Sequence, residues 1–467
     1  MNLWVVAVSV LATSQSAATF LGGPDQGFRG NLTYLSSNIG AVIAALFVST
    51  YLIPAFYRRG VSTVYQLLSD DIGVKSEKAA GLMYFIGRVF ASGARLYMAA
   101  LAVSMLLFAD VAASSVIISS GLLTIAAFAL TYRGGIRSVI WSDGLQCLVY
   151  VSAAIGVIIW LLYQIPADGS QVIEVLSGGA DGPDKLQLFD ASWDISKPYT
   201  IWAALTGFVL LNIGAFGLDQ DMTQRLLTCK DQKDGQKALY LSIFLIIPVM
   251  LAFMIIGLLL HIFYQQPELM QGYSAAVGLS GGAEFAGEKI TVFMHYILTE
   301  LPPGLKGLVV VGVVAAALST LNSGLNSMSS VLVKDLWPGQ IISEVKAGRA
   351  GMLAVGLLLF AMSALCYYWQ RYSDMPLLDF ALSVMVFSYS GLLGVYFTVL
   401  FTKRGSDASV IAALITGFIV TLAQQPWLVD FSGLPGVMKT LAFPWKLCIG
   451  TLAALLVCLV GSRRGKA

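Results

Sequence analysis

Long apolar segments recur along the whole chain, and they constrain the fold more than any other feature. Windows of about twenty apolar residues, enough to cross a bilayer as a helix, occur at twelve places. Only 12% of the 467 residues are charged, whereas soluble domains carry about 25%. The sequence therefore predicts an all-α polytopic membrane protein with about twelve spans, at residues 2–22, 33–56, 79–108, 112–132, 138–164, 199–218, 236–264, 305–333, 349–369, 376–402, 406–424 and 441–461.

Basic residues are unevenly distributed between the predicted loops. One set of loops, which we take to include Arg58, Arg133 and Arg225, carries most of the Lys and Arg together with the C-terminal tail. The opposite set includes two long loops that lean acidic, 165–198 and 265–304. Because basic loops stay in the cytoplasm, we expect both termini there, in a multi-pass protein of the plasma (inner) membrane. The lipid bilayer is its expected surrounding, and no pattern predicts a nucleic-acid or obligate protein partner.

Span eight carries a stripe of uncharged polar side chains. They fall at steps of three and four and so share one helix face, at Ser319, Asn322, Ser323, Asn326, Ser327 and Ser330. In hydrocarbon such groups must face protein, water or an ion. Hydroxyl and amide oxygens suit hard cations, and the scarcity of full charges nearby favours a monovalent ion. The alternative is a tightly packed interface of small residues between helices.

Spans one and six are interrupted where a membrane helix should be most apolar. Span one contains four consecutive polar residues, Thr13 to Ser16, and span six contains the polar, glycine-containing stretch Asn212–Gln220. Each span opens a block of five, and an odd number of spans inverts the second block. Breaks at corresponding places in inverted halves predict a binding site near the midplane. Residues 1–20 also resemble a signal peptide, although they lack its positively charged start.

Asp143, Arg88 and Arg95 are charged residues inside predicted spans, where a charge usually marks function. Asp143 in span five could bind a cation with span eight, or form a salt bridge to a neighbouring Arg, or line a water-filled vestibule. Arg88 and Arg95 in span three are seven residues apart and share a face. Arg88 suits either a two-pronged contact with a carboxylate or a structural pairing with Asp143 or with free carbonyls. For Arg95 the structural interpretation is favoured.

The chain shows no combination of residues that predicts an enzyme. Its five cysteines are far apart and form no CxxC pair, and His261 and His295 lack metal-ligand spacing. No nucleophile–base pair or phosphate-binding loop stands out. These observations argue against an intramembrane enzyme.

Three motifs together resemble the sodium/solute symporter family, which includes sodium-coupled glucose, proline, pantothenate and sialic acid transporters. They are GGIRSVIWSD at 134–143, DQDMTQR at 219–225 and AAALSTLNSGLNS at 315–327. The resemblance implies the leucine-transporter fold, an inverted repeat of five plus five spans followed by two C-terminal helices. Residues 1–467 would then form one transporter domain, with repeats at 1–166 and 198–404 and peripheral helices at 405–467.

The resemblance also implies a function, the import of a small polar organic solute by sodium-coupled symport with alternating access. The alternative is a non-transporting solute sensor or a channel on the same scaffold. The family's main sodium site uses carbonyls of broken span one with a carbonyl and hydroxyls of span eight. It falls here on Ala12, Gln15, Ala316, Ser319 and Thr320. A second sodium site of some members falls on Asp143, Ser319, Asn322 and Ser323.

At its solute positions the chain is most similar to the sialic acid branch of this family. Those positions fall on Ser14, Ser16, Thr19, Tyr34, Asn38, Arg88 and Phe216. Arg88 follows an Ile-Gly pair, as the carboxylate-binding arginine of that branch does, so the resemblance suggests an acidic solute. Asn38 and Tyr34 stand where that branch has Gln and Phe, so sialic acid itself is not predicted.

Overall fold

The computed structural model describes residues 1–132, 134–179, 182–270, 283–285, 288–337, 343–370, 377–426, 428–429 and 435–462. All twelve predicted spans correspond to helices, several of them in more than one piece. In chain order they are Leu3–Ser14 with Ala17–Arg29 (span one), Leu32–Ser36, Ser37–Phe47, Val48–Leu52 and Ile53–Arg59 (two), Val74–Phe108 (three), Ala113–Thr131 (four), Gly135–Gln164 (five), Ile201–Leu205, Gly207–Ile213, Gly214–Leu218 and Gln220–Leu226 (six), Gln232–Gln265 (seven), Pro303–Val331 with Leu332–Leu336 (eight), Glu344–Gln370 (nine), Leu377–Phe401 (ten), Asp407–Ala423 (eleven) and Phe443–Val460 (twelve).

The all-α membrane class is confirmed. Within the described residues ten helices are long and apolar enough to cross a membrane, and the bent pair of span one makes an eleventh. The helix of span eleven is apolar but has only 17 residues, so a total of twelve spans stays a prediction. Between the spans lie the helices Gln66–Asp71, Gly169–Leu176, Val292–Thr299 and Val437–Thr440 and a short antiparallel hairpin, Ala283–Phe285 with Glu288–Ile290.

Span one is broken where its polar residues predicted, and its two helices meet at 65°. The first helix ends at Ser14, and Gln15 and Ser16 have extended backbone. Ser16 and Thr19 then form a capping box that begins the second helix. Serine and threonine favour such positions because they bind amide groups that have no partner within the helix. The first helix is buried against spans five, seven and eight, which favours a broken span over a signal peptide.

Span six is also broken, and it continues further than predicted. Its helix changes to a π-helical turn at Gly214–Leu218, and Asp219 is extended, with φ −86° and ψ 116°. The Asp219 carboxylate accepts the backbone N–H of Asp221 at 3.0 Å and so caps a further helix, Gln220–Leu226. The sequence prediction ended span six at residue 218 and placed Arg225 in a loop. That placement is wrong, because Arg225 is fully buried.

The two broken spans lie inside the bundle. The second helix of span one packs along span seven so closely that a Cβ on Gly257 would lie 2.0 Å from the Pro24 carbonyl oxygen. Glycine permits this approach because it has no side chain. The last helix of span six contacts span eight and the first helix of span one, whereas spans eleven and twelve pack on each other and on span ten. Both breaks are therefore enclosed by neighbouring helices.

Candidate functional site

The residues predicted for the main sodium site lie on two elements that pack together, broken span one and span eight. Ala12 and Gln15 belong to the last turn and the C-cap of the first helix, where carbonyls lack intrahelical partners. Ser319 Oγ donates to Asp143 Oδ1 at 2.7 Å, and Thr320 Oγ1 donates to the Ala316 carbonyl at 3.2 Å. A hydroxyl that donates its proton keeps its lone pairs. Both side chains therefore still have oxygen to offer a cation.

The residues predicted for the second sodium site are only partly brought together. Ser319 contacts Asp143, but Asn322 Oδ1 accepts from Thr131 Oγ1 at 3.3 Å. The Ser323 hydroxyl donates to carbonyls of its own helix, at 2.6 and 3.2 Å. The carboxylate of Asp143 instead accepts from the side chains of span one and span six described next.

Five charged residues from spans three, five and six form a buried charge cluster: Arg88, Asp143, Asp219, Asp221 and Arg225. All three side-chain nitrogens of Arg225 donate hydrogen bonds. Nε donates to Ser9 Oγ at 2.9 Å, Nη1 to Asp221 at 2.8 Å and Nη2 to Asp143 at 3.1 Å. Ser9 also donates to Asp143. Of the alternatives for Asp143, the salt bridge to an arginine is therefore present, and its partner is Arg225 rather than Arg88 or Arg95.

Arg88 lies between two carboxylates of span six. Its Nη1 donates to Asp219 Oδ2 at 3.0 Å, and its Nη2 pairs with Asp221. Asp219 also accepts from the Tyr389 hydroxyl of span ten at 2.6 Å. The buried cluster thus contains three carboxylates and two guanidinium groups, and it joins the break of span six to spans one, three, five, eight and ten.

A small cavity adjoins this cluster, between spans three, six and ten. Of the predicted solute residues, Arg88 lines it, with Tyr84, Gly87, Ala91, Asp219, Met385, Ser388 and Tyr389. Asp219, Ser388 and Tyr389 contribute polar groups to its wall, and Ala91 and Met385 contribute apolar ones. The volume of the cavity is about 10 Å³, which is room for about one water molecule, so the space is a polar gap beside Arg88 and does not hold an organic solute as it stands.

The other predicted solute residues lie at the break of span one, in the first part of span two and in the break of span six. Ser14 Oγ donates to the Leu11 carbonyl at 2.7 Å, and the Asn38 amide donates to the Leu35 carbonyl at 3.0 Å. Ser16, Thr19 and Phe216 are buried, and their roles in solute binding stay predictions. Ser14, Ser16 and Thr19 belong to span one, Tyr34 and Asn38 to span two, and Phe216 to the π-helical turn of span six.

A second polar contact, which we call the Asp379 contact, ties the far end of span one to span ten. Gln26 Nε2 donates to Asp379 at 3.0 Å, and the Tyr199 hydroxyl donates to the same oxygen. The Tyr34 ring packs edge-on against Tyr199, with ring centroids 5.0 Å apart. Nearby, the Lys185 ammonium group donates to the Phe28 and Gly30 carbonyls at 2.7 and 2.9 Å.

Residues 1–417 match the sodium:solute symporter family. The chain belongs to this family. The sodium/sialic acid symporter SiaT of Proteus mirabilis is 26% identical over 426 residues, which are 90% of this chain and 82% of that protein. Sodium-coupled monocarboxylate transporter 2 of Homo sapiens is 25% identical over 335 residues, 72% of this chain and 51% of that protein.

A solved Na+-coupled sialic acid symporter, in a substrate-bound outward-open state, has the same fold, with a TM-score of 0.78 at 23% identity. The match covers 98% of this chain and 89% of that one. The predicted leucine-transporter-like fold is confirmed. The symporter is a sodium-coupled membrane transporter that takes sodium and a solute, and it is not an enzyme.

Sequence reasoning missed most of the charge cluster. In the sequence Asp219 belongs to the interruption of span six, Asp221 is marked only by the family motif and Arg225 by that motif and a basic loop, and no pattern marks Ser9 or Tyr389. One signal was available in the sequence. Asp221 and Arg225 are four residues apart, the spacing of an ion pair on one helix face, and a helical motif of this kind could have continued span six.

Proposed function

We propose that this symporter imports a small polar solute carrying a carboxylate, with sodium, across the plasma (inner) membrane. The observation that carries the proposal is the buried guanidinium group of Arg88 beside the break of span six. Two relatives support an acidic solute, because one is named for sialic acid and the other for monocarboxylates. Arginine suits carboxylates because its planar group can donate two parallel hydrogen bonds.

Sodium is proposed to bind where broken span one meets span eight. The ligands would be the carbonyls of Ala12, Gln15 and Ala316 and the hydroxyls of Ser319 and Thr320. Span eight is continuous there, whereas span one has a hinge. An ion between them would therefore favour one arrangement of the hinge, by the difference between its affinities for the two states.

A second sodium is proposed near Asp143, with Ser319, Asn322 and Ser323. Arg225 already compensates the charge of Asp143, at 3.1 Å. A cation at this place would have to share the carboxylate with the guanidinium group. The main site is therefore the stronger proposal of the two.

The solute is proposed to bind between spans one, two, three and six, at Ser14, Ser16, Thr19, Tyr34, Asn38, Arg88 and Phe216. Alternating access would move the repeat at 1–166 against the repeat at 198–404, with residues 405–467 at the periphery. Following the distribution of basic residues, both termini would be cytoplasmic. We propose that the protein is surrounded by lipid and needs no obligate protein partner.

Uptake into proteoliposomes tests this function. Labelled sialic acid, lactate, proline and glucose are offered with an inward sodium gradient and with potassium in its place. Driven uptake of an acid only with the gradient is expected, since a sodium ion moved through 100 mV releases about 2.3 kcal/mol. Equal uptake in both buffers would contradict coupling and favour a channel. Binding without uptake would favour a sensor.

A further inference from the structure

A continuous chain of ion pairs and hydrogen bonds joins Arg88 to the proposed sodium ligand Ser319. Arg88 Nη2 pairs with Asp221, whose other carboxylate oxygen accepts from Arg225 Nη1 at 2.8 Å. Arg225 Nη2 donates to Asp143 Oδ2 at 3.1 Å, and Ser319 Oγ donates to Asp143 Oδ1 at 2.7 Å. We call Asp221, Arg225 and Asp143 the charge relay. All three are fully buried, so their mutual interactions are only weakly screened by water and salt.

Asp219 is the other acid on Arg88, but it does not belong to the charge relay. Its carboxylate accepts from Arg88 Nη1 at 3.0 Å, from the Tyr389 hydroxyl at 2.6 Å and from the backbone N–H of Asp221 at 3.0 Å. Among the described residues, Arg88 is the only ion-pair partner of Asp219, whereas Asp221 also has Arg225. A buried carboxylate without a cation is strongly unfavourable. Asp221 is therefore the acid that Arg88 can exchange at the lower cost.

The third side-chain nitrogen of Arg88 lies on the same edge of the guanidinium group as the contact with Asp221. Arg88 Nε is buried and has no hydrogen-bond partner within the described residues. Nε and Nη2 form one edge of the planar group, and a carboxylate can accept one hydrogen bond from each. The gap that Arg88 lines has room for about one water molecule. A solute carboxylate on this edge therefore replaces Asp221 at Nη2.

On the basis of the proposed function, we infer that the charge relay couples solute binding at Arg88 to sodium binding at Ser319. A solute carboxylate takes the place of Asp221 on Arg88, and Asp221 then draws Arg225 toward itself. Arg225 in turn compensates less of the charge of Asp143. The Asp143 carboxylate, which accepts the hydrogen bond of Ser319 and so orients its lone pairs, then attracts a sodium ion more strongly. Each ligand therefore raises the affinity for the other, because the coupling free energy is reciprocal.

The relay also restricts the class of solute that sodium can help to bind. Asp221 and Arg225 act as positioning residues, since neither needs to touch the solute. Asp221 can leave Arg88 only if another negative charge replaces its own, because Arg88 is buried. The relay therefore responds to an ionised carboxylate and not to its uncharged ester.

The test uses the purified full-length symporter in detergent and measures solute affinity in sodium and in potassium by ligand-dependent thermal stabilisation. The probes are sialic acid, gluconate and lactate, each beside its methyl ester. The ratio of the dissociation constants in potassium and in sodium is the coupling factor. Asp221→Asn interrupts the relay with little change of shape. Asp219→Asn is the matched control, because it removes the other acid from Arg88, leaves the relay intact and retains a good N-cap residue.

Wild type and Asp219→Asn should bind an acid about five-fold or more tightly in sodium, since coupling between two sites is typically about 5–150-fold. In Asp221→Asn the coupling factor should fall toward one, whereas a merely structural role would change both dissociation constants alike. Asp221→Glu, which retains the charge, should keep part of the coupling. A wild-type coupling factor in Asp221→Asn would overturn the inference. An equal loss in Asp219→Asn, or an ester coupled as strongly as its acid, would do the same.

A second variant keeps the inference testable should Asp221→Asn fail to fold. Asp143→Asn cuts the relay at its other end, and coupling retained there would overturn the inference.

Uptake by the wild type separates this inference from the proposed function. Coupled binding without sodium-driven uptake would end symport and leave the inference standing. Sodium-driven acid uptake together with unchanged coupling in Asp221→Asn would end the inference alone. A wild type that binds no acid, or binds acids equally well in both buffers, would contradict both.

Discussion

Replacing Arg225 by Gln should destabilise the symporter far more than replacing Asp143 by Asn, although the two residues are direct partners. The charge cluster has three carboxylates and two guanidinium groups. Asp143→Asn leaves two acids with two arginines, a balanced set. Arg225→Gln leaves three acids with one arginine. The same broken contact therefore has opposite effects on the charge balance.

The magnitudes follow from what each substitution leaves behind. Arg225→Gln removes the arginine partner of Asp143 and one of the two arginine partners of Asp221. Breaking a buried pair in this way costs about 3–5 kcal/mol. Asp143→Asn loses one charge-assisted contact, but Arg225 keeps Asp221, so a cost of about 1–2 kcal/mol is expected. Adding Asp143→Asn to Arg225→Gln should restore about 1 kcal/mol or more, because one uncompensated charge disappears. Neighbouring groups of one network commonly show coupling of this size.

The assay is equilibrium unfolding by urea in a mild detergent, read as the free energy of unfolding. A potassium buffer without sodium keeps ion binding out of the measurement. Arg225→Lys is the matched variant, because it retains the charge while losing the Nε contact with Ser9. The reasoning would be refuted if the double variant were no more stable than Arg225→Gln. It would also be refuted if Asp143→Asn proved the more harmful single change.

Three further outcomes are expected. Ser319→Ala with Thr320→Ala should abolish sodium-driven uptake in proteoliposomes while the protein stays folded, because two proposed hydroxyl ligands are lost; unchanged sodium dependence would disprove the site. Burial lowers the pKa of Lys185 to about 8 in the folded protein, whereas the pKa of an exposed lysine is about 10.4. Between these two pH values the unfolded chain therefore binds more protons at this residue than the folded chain does. The free energy of unfolding should therefore rise with pH over this range, and it should rise less steeply in Lys185→Met than in the wild type. Tyr199→Phe removes a hydrogen-bond donor to Asp379 and should increase the labelling of a cysteine introduced beside this contact. Unchanged labelling would mean that the contact does not hold the start of span six against span ten.

Local sequence patterns predicted the framework because the bilayer acts on each segment separately. Long apolar runs predicted the helices, and the four polar residues from Thr13 to Ser16 predicted the break of span one. The start of the break in span six was predicted for the same reason. The continuation of span six beyond its break was not predicted, because a hydropathy criterion assigns the charged segment Asp219–Arg225 to a loop. A helix with these charges is stable inside only because of partners elsewhere in the chain.

The site could be predicted only where one element determines it. The stripe on span eight is visible from helical spacing, and Ser319 and Thr320 are indeed buried. The partner of Asp143 could not be found in this way, since Arg225 lies 82 residues further along the chain. The acids that neutralise Arg88 are more than 130 residues away. Such pairings depend on how whole helices are arranged, which periodicity and composition do not describe.

The order of the charged partners along the chain has a consequence for membrane insertion. Arg88 and Asp143 leave the ribosome with spans three and five, before span six supplies Asp219, Asp221 and Arg225. During that interval neither residue has the ion-pair partner that it has in the finished protein. The last helix of span six, only seven residues long, cannot cross a bilayer by itself. Its burial therefore depends on ion pairs with Arg88 and Asp143, which are already in the membrane. The charge cluster can form only after span six, in the second half of the symporter, has been synthesised.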